Sequence, residues 1–84
     1  MTLEHKYTIK FNAKCPADNS IDSYKLKIYS NKIILVEDII AIINKLTTEP
    51  IYQEKLAEII YNNIKEKLKL IGYHSNIKII SKVG

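Results

Sequence analysis

The first third of the chain reads in steps of two. From residue 5 to residue 15 apolar and polar side chains alternate, with Tyr7, Ile9, Phe11, Ala13 and Cys15 on one face and Lys6, Thr8, Lys10, Asn12 and Lys14 on the other. This is the pattern of a half-buried strand. Pro16-Ala17-Asp18-Asn19-Ser20 is turn chemistry, and Asp22 to Ser30 alternates again with Tyr24, Leu26 and Ile28 on one face. The two strands are expected to form a hairpin. A register that pairs Ala13 with Tyr24, Phe11 with Leu26 and Ile9 with Ile28 buries every apolar residue on one side. It also sets Cys15 opposite Asp22, and Lys10 opposite Lys27, with Lys6, Lys14 and Lys25 on the same outward face.

From Val36 the period changes to that of a helix, through Val36, Ile39, Ile40, Ile43 and Leu46. Glu37 and Asp38 stand in its first turn, where the helix dipole favours anions. Ile42 widens the apolar surface beyond one stripe, which calls for a second packing partner. Thr47-Thr48-Glu49-Pro50 offers a cap and an early-helix proline, and Tyr52, Leu56, Ile60, Ile64, Leu68 and Ile71 trace a longer second helix that Gly72 can end. Ile77 and Ile79 then alternate with Asn76 and Lys78 in a last strand over residues 75 to 83. The expected order is β-β-α-α-β, an α+β fold in one domain spanning residues 1–84.

Composition changes this picture in two respects. With 84 residues, of which 46% are apolar and seventeen are isoleucine, the chain has more apolar surface than it can hide, since a domain of this size buries only roughly 60 to 65% of its unfolded surface. Self-association is expected. The net charge of +4 comes from thirteen lysines and no arginine, which disfavours bidentate reading of base edges but allows attraction to phosphates. No stretch approaches the roughly 20 apolar residues of a membrane span, and Met1-Thr2-Leu3-Glu4-His5-Lys6 has no apolar leader core. No membrane partner and a cytoplasmic location are expected.

Cys15 is the one cysteine, and with two scattered histidines it makes no structural zinc set, so no metal is expected. Such a cysteine is either inert filler or a nucleophile. A thiol and a carboxyl sharing the mouth of a hairpin form an acid and nucleophile pair in which the proton passes from sulfur to Asp22 during attack. The plain alternative is a buried cysteine beside an aspartate that bonds the amides of its own turn.

The segment Cys15-Pro16-Ala17-Asp18-Asn19-Ser20-Ile21-Asp22, followed by a strand, Val36-Glu37 and then Ile51-Tyr52-Gln53-Glu54, resembles the nitrile reductase of queuosine biosynthesis and its QueF-like archaeosine-synthase relatives. The likeness covers residues 7 to 83. It implies a T-fold, in which an antiparallel sheet carries two helices on one face and subunits assemble into rings. It also implies that Cys15 adds to the nitrile of 7-cyano-7-deazaguanine to form a thioimide while Asp22 moves protons. Glu54 would accept hydrogen bonds from the guanine-like edge, a strong contact for a carboxylate, and Glu37 would help to hold the substrate. Gln53 stands where the family has a histidine and is grouped with the substrate-binding residues.

Two departures shape the expected reaction. The reductase follows its glutamate with lysines for the phosphate of its nicotinamide cofactor, and this chain has Ile39 and Ile42 there, so no cofactor is expected. That absence resembles the archaeosine synthases, which let ammonia attack the thioimide and give a formamidine on a tRNA base. The implied partners are therefore tRNA carrying 7-cyano-7-deazaguanine, ammonia as co-substrate, and further copies of the chain in a homo-oligomer. The family also has a fourth strand after the one ending near Val83, and this chain is expected to lack it. A nicotinamide-dependent nitrile reductase and a non-catalytic purine- or RNA-binding module are the alternatives.

Overall fold

A computed structural model describes residues 3 to 84, and residues 1 and 2 of the segment considered above for a leader lie outside the described residues. Six elements follow one another: β1 (His5–Lys14), β2 (Ile21–Ser30), α1 (Val36–Leu46), α2 (Gln53–Ile64), β3 (Lys67–His74) and β4 (Ile77–Val83). The strands form one antiparallel sheet in the order β1-β2-β3-β4. Both helices lie on the same face, α2 against β3 and β4, with α1 leaning on α2. Leu26, Ile28, Ile39, Leu56, Ile60, Leu68 and Leu70 are fully buried between the two layers. The α+β architecture read from the sequence stands, but the fourth strand expected to be lacking after Val83 is present, as β3 ahead of the last strand.

The second helix does not run to Gly72. It stops at Ile64, because Lys65 adopts a left-handed conformation (φ 58°, ψ 35°) and its N–H closes on the Tyr61 carbonyl. Leu68 and Ile71 fit helical spacing, but Lys67-Leu68-Lys69-Leu70 also alternates, and the sheet decides between the two readings. In the observed register Leu26 faces Leu70 and Ile28 faces Leu68, so a helix here would strip β2 of its second neighbour and leave its buried backbone unpaired. The proline stretch before α2 likewise belongs to the connection. Thr47 caps α1 through its N–H and its hydroxyl on the Ile43 carbonyl, and the helix begins only at Gln53.

The β1–β2 register is also shifted from the expected one. Ala13, not Cys15, lies opposite Asp22, and Lys10 faces Lys25, while Lys27 faces Thr8. Both registers keep the same residues on the same face, so apolar patterning cannot choose between them. The turn chooses. Asn19 takes a positive φ of 61°, the Cys15 N–H donates to the Ser20 carbonyl, and the Asn19 N–H donates to the Cys15 carbonyl. Asp18 completes the turn by accepting from both the Ser20 amide, at 3.0 Å, and the Ser20 hydroxyl, at 2.7 Å. Those two bonds hold its carboxyl below the ordinary carboxylate range, the side-chain bond most.

A left-handed conformation at a lysine costs roughly 1–2 kcal/mol, and glycine's freedom in the unfolded chain returns about 0.4–1 kcal/mol of any relief. Lys65→Gly is therefore expected to stabilise the fold by about 0.5–1 kcal/mol, seen as a higher urea midpoint at unchanged slope. A lower midpoint would contradict the helix end described here.

Candidate active site

A cavity of about 220 Å³ lies on the helix-covered side at one end of the sheet, bounded by Cys15, Asp22, Tyr24, Ile51, Tyr52, Gln53, Glu54, His74 and Ile79. Three parts of the backbone converge there. The hairpin turn brings Cys15, β2 brings Asp22 and Tyr24, and the start of α2 brings Gln53 and Glu54. The Ile51 N–H donates to the Lys14 carbonyl at 3.1 Å, which ties the approach to α2 to the end of β1 beside Cys15. Pockets for drug-sized ligands run from roughly 300 to 1,000 Å³, so this one suits a single planar heterocycle whose substituents remain outside.

Cys15 is partly exposed, and Asp22 is only 4% exposed. With Cys15 opposite Ser20, the thiol and the carboxyl are diagonal neighbours on one sheet face, positions typically about 7–8 Å apart. Asp18, not Asp22, accepts from a backbone amide of the turn, that of Ser20. Asp22 turns inward, and its Oδ2 lies 2.7 Å from His74 Nδ1, while no hydrogen bond among the described residues satisfies this buried oxygen. Such groups are rare in folded proteins and mark sites where something else binds or reacts.

Gln53 occupies the first position of α2 and is 2% exposed. Its Nε2 reaches the Leu70 carbonyl at 3.1 Å, the Ile79 carbonyl at 3.0 Å and Ser81 Oγ at 3.1 Å. Carbonyls can only accept, so the amide nitrogen must face the sheet and the amide oxygen must face outward. That oxygen lies 2.7 Å from His74 Nε2. Both ends of the Gln53 amide are thus engaged by the protein, and its contribution to the cavity passes through His74.

Gly72 makes this arrangement possible. A Cβ there would fall within contact of Gln53 Oε1, 2.7 Å from Tyr24 Cε1 and 2.9 Å from His74 Nε2. Tyr24 stacks on Phe11 at 5.4 Å and meets the edge of His74 at 5.8 Å. Its phenol is pushed up to about 12, first by burial and then by the charges of Asp22, Cys15 and Glu54. At neutral pH it is a neutral donor near all three.

Of the residues singled out in the sequence, Cys15, Asp22, Gln53 and Glu54 come together. Glu54 is exposed at the rim, in the first turn of α2 where the dipole favours a carboxylate. Glu37 does not line this cavity; it sits exposed in the first turn of α1. Tyr24 and His74 are the site residues that sequence reasoning missed. Tyr24 reads as core, and His74 could have been found only by taking Leu68, Leu70, Gly72 and His74 as one face of a strand.

No protein-family model matches the sequence, and no curated protein matches it. Structure gives a clear answer. The crystal structure of the archaeosine synthase QueF-Like in the apo form superposes with a TM-score of 0.83 over 95% of this chain and 90% of that one, at 13% sequence identity. The chain has the T-fold of the archaeosine synthase QueF-Like. Among the described residues no group of histidine, cysteine, aspartate and glutamate is arranged to hold a metal ion. Nor, among the described residues, is any helix long and apolar enough to cross a membrane.

Gly72→Ala should disturb the cavity more than the core. Overpacking of this kind costs typically about 1–3 kcal/mol, and the groups displaced are Gln53, Tyr24 and His74. The expected outcome is a folded protein of reduced thermal stability whose His74 and Tyr24 ring resonances move together. Unchanged ring resonances would mean that the contacts around Gly72 are loose.

Proposed function

We propose that the protein is an amidinotransferase that converts the nitrile of 7-cyano-7-deazaguanine in tRNA to the formamidine of archaeosine, using ammonia, by way of a thioimide on Cys15. The observation that carries this reading is a partly exposed thiol and a buried, incompletely satisfied carboxyl lining one base-sized cavity in the fold of an archaeosine synthase. Cys15 Sγ forms a bond to the nitrile carbon as one carbon–nitrogen π bond breaks, and the nitrile nitrogen takes a proton. Ammonia then adds to the thioimide carbon, the carbon–sulfur bond breaks, and the thiol is regenerated beside a formamidine.

The diagonal placement of Cys15 and Asp22 favours a carboxyl that serves a substrate nitrogen seated between the two groups over one that captures the thiol proton directly. Glu54, at the rim, accepts hydrogen bonds from the guanine-like edge. Glu37 stands outside the cavity of its own chain, so its part in holding the base is assigned across a contact between subunits. Both edges of the sheet are open, and Ile77, Ile79 and Ile80 on β4 are exposed, which favours a ring in which β4 meets a neighbour. The nicotinamide-dependent reduction is disfavoured by position 39, since Ile39 is 1% exposed and belongs to the core.

The deciding experiment is intact-protein mass after mixing with 7-cyano-7-deazaguanine. Thioimide formation is an addition, so the expected increment is the whole mass of the base. Cys15→Ala should abolish both the increment and turnover while leaving the fold unchanged. An increment that persists in the alanine variant, or none in the native protein, would sink the thioimide reading.

Recognition of tRNA is supported by the helix-free face of the sheet. Nine of the thirteen lysines lie on it, three on β1 and two on each of the other strands, and no strand places a carboxylate there. Lys27, Lys69 and Lys82 stand directly opposite one another across β2, β3 and β4, as do Lys10 and Lys25 across β1 and β2. Like charges in these positions destabilise a sheet unless solvated or bound to anions. Lys14 and Lys78 adjoin Cys15 and Ile79 in sequence, so the basic face meets the cavity at that end.

Affinity for nitrile-bearing tRNA is expected to fall steeply with salt. Lys27→Glu/Lys69→Glu should flatten the slope by about 2, one per lost phosphate contact, whereas Lys45→Glu/Lys55→Glu on the helices should not. A salt series in which all three proteins behave alike would leave the free base as the substrate.

A further inference from the structure

Among the residues of the cavity that the mechanism above leaves unused, His74 is the one that contacts Asp22 directly. Two backbone carbonyls hold the Gln53 nitrogen, which obliges Gln53 Oε1 to face the ring. An oxygen 2.7 Å from His74 Nε2 requires a hydrogen on that nitrogen, so His74 Nε2–H donates to Gln53. The tautomer is thereby fixed. Nδ1 is the nitrogen that remains, and it lies 2.7 Å from Asp22 Oδ2. A bare ring nitrogen and a carboxylate oxygen repel at this distance, so the approach makes chemical sense when the two groups hold a proton between them. Tyr24 packs edge-on against the ring, and the absence of a Cβ at Gly72 leaves room for it. The other charged or titratable groups that share the cavity are Cys15 from the hairpin turn, Asp22 and Tyr24 from β2, Tyr52 from the approach to α2, and Glu54 from α2.

We propose that His74 is a positioning residue that keeps Asp22 supplied with its proton, with Gln53 acting only to fix the imidazole. This rests on the reading of Cys15 and Asp22 given above. As sulfur bonds to the nitrile carbon, the proton that Asp22 and His74 Nδ1 hold between them passes from the carboxyl of Asp22 to the nitrile nitrogen, leaving a carboxylate beside a neutral imidazole. The proton released by the thiol then returns to that pair, so the addition is proton-neutral overall. The geometry explains why a buried glutamine at the first turn of a helix should reach into a sheet at all, since it links the imidazole rigidly to the backbone of β3 and β4.

The test has two arms. In the first, the rate of adduct formation and the affinity for 7-cyano-7-deazaguanine are measured separately for the native protein and for His74→Ala and His74→Gln. Proton-transfer roles contribute roughly 10²–10⁴-fold, so the expected result is a rate loss of about 100-fold at saturating base, affinity within about twofold, and partial recovery of His74→Ala by added imidazole. Adduct formation at the native rate, or an affinity loss as large as the rate loss with no response to imidazole, would overturn the proposal.

The second arm does not need activity. In protein carrying ¹⁵N-labelled histidine, with His5 as internal reference, Nε2 of His74 should show the shift of a protonated nitrogen that Gln53→Ala abolishes. Asp22→Asn should move Nδ1 toward the shift of an unprotonated nitrogen. If the two nitrogens of His74 average like those of a free imidazole in the native protein, the proposed pair does not exist. If the native protein forms no adduct while the nitrogen shifts behave as expected, the proton pair stands and the thioimide reading fails.

Discussion

The site depends on one buried amide. Gln53 begins α2 and at the same time bonds the backbone of β3 and the backbone of β4, so a single side chain sets where the helix starts, how it sits over the sheet and which way the neighbouring imidazole faces. A buried amide with any of these bonds missing would cost about 1–3 kcal/mol for each unsatisfied group. With them made, the geometry is rigid. Gly72 is the counterpart of this constraint, because the space that a Cβ would take is occupied by Gln53, Tyr24 and His74. The first helical residue and a glycine in the middle of a strand are thus two halves of one packing solution.

The sheet separates two chemistries. Its inner face is apolar through the middle, and the polar groups Asp22, Tyr24 and His74 gather at the end that holds the cavity. Its outer face carries the lysines. Apart from Asp22 on the inner face, acidic side chains lie off the strands, with Glu37, Asp38 and Glu54 in first helical turns where the backbone dipole favours them. A chain with a modest net charge of +4 therefore presents a strongly basic face, and net charge by itself conceals it.

Much of this was legible in the sequence wherever one period dominates. Alternation gives β1 and β2, and a change to helical spacing at Val36 gives α1 at its observed start. The failures occur where two readings share the same residues. Leu68 and Ile71 satisfy a helix, while Leu68, Leu70 and Gly72 satisfy a strand, and only the need of β2 for a second partner separates them. Lys65 gives no local sign of its left-handed conformation, since glycine or asparagine is the usual signal. Gln53 and His74 are 21 residues apart, and neither has a pattern that announces the other. Cys15 and Asp22 were visible as a pair because they share a face, which survives any even shift of register.

That even shift has a chemical consequence. Directly opposed side chains have Cβ atoms roughly 4.5–5.5 Å apart, near enough for a thiol and a carboxyl to exchange a proton through a single bridge. Diagonal neighbours leave a gap of the width of a bound atom or two. The hairpin turn, with Asn19 at positive φ and Asp18 clamping Ser20, decides between these arrangements, and it selects the diagonal one. A nitrile seated between the two groups would then have its carbon toward Cys15 and its nitrogen toward Asp22, so that nucleophile and acid act on opposite ends of the same bond. The turn, which touches the cavity only through Cys15, thus determines whether, in the proposed reaction, the carboxyl would serve the thiol or the substrate.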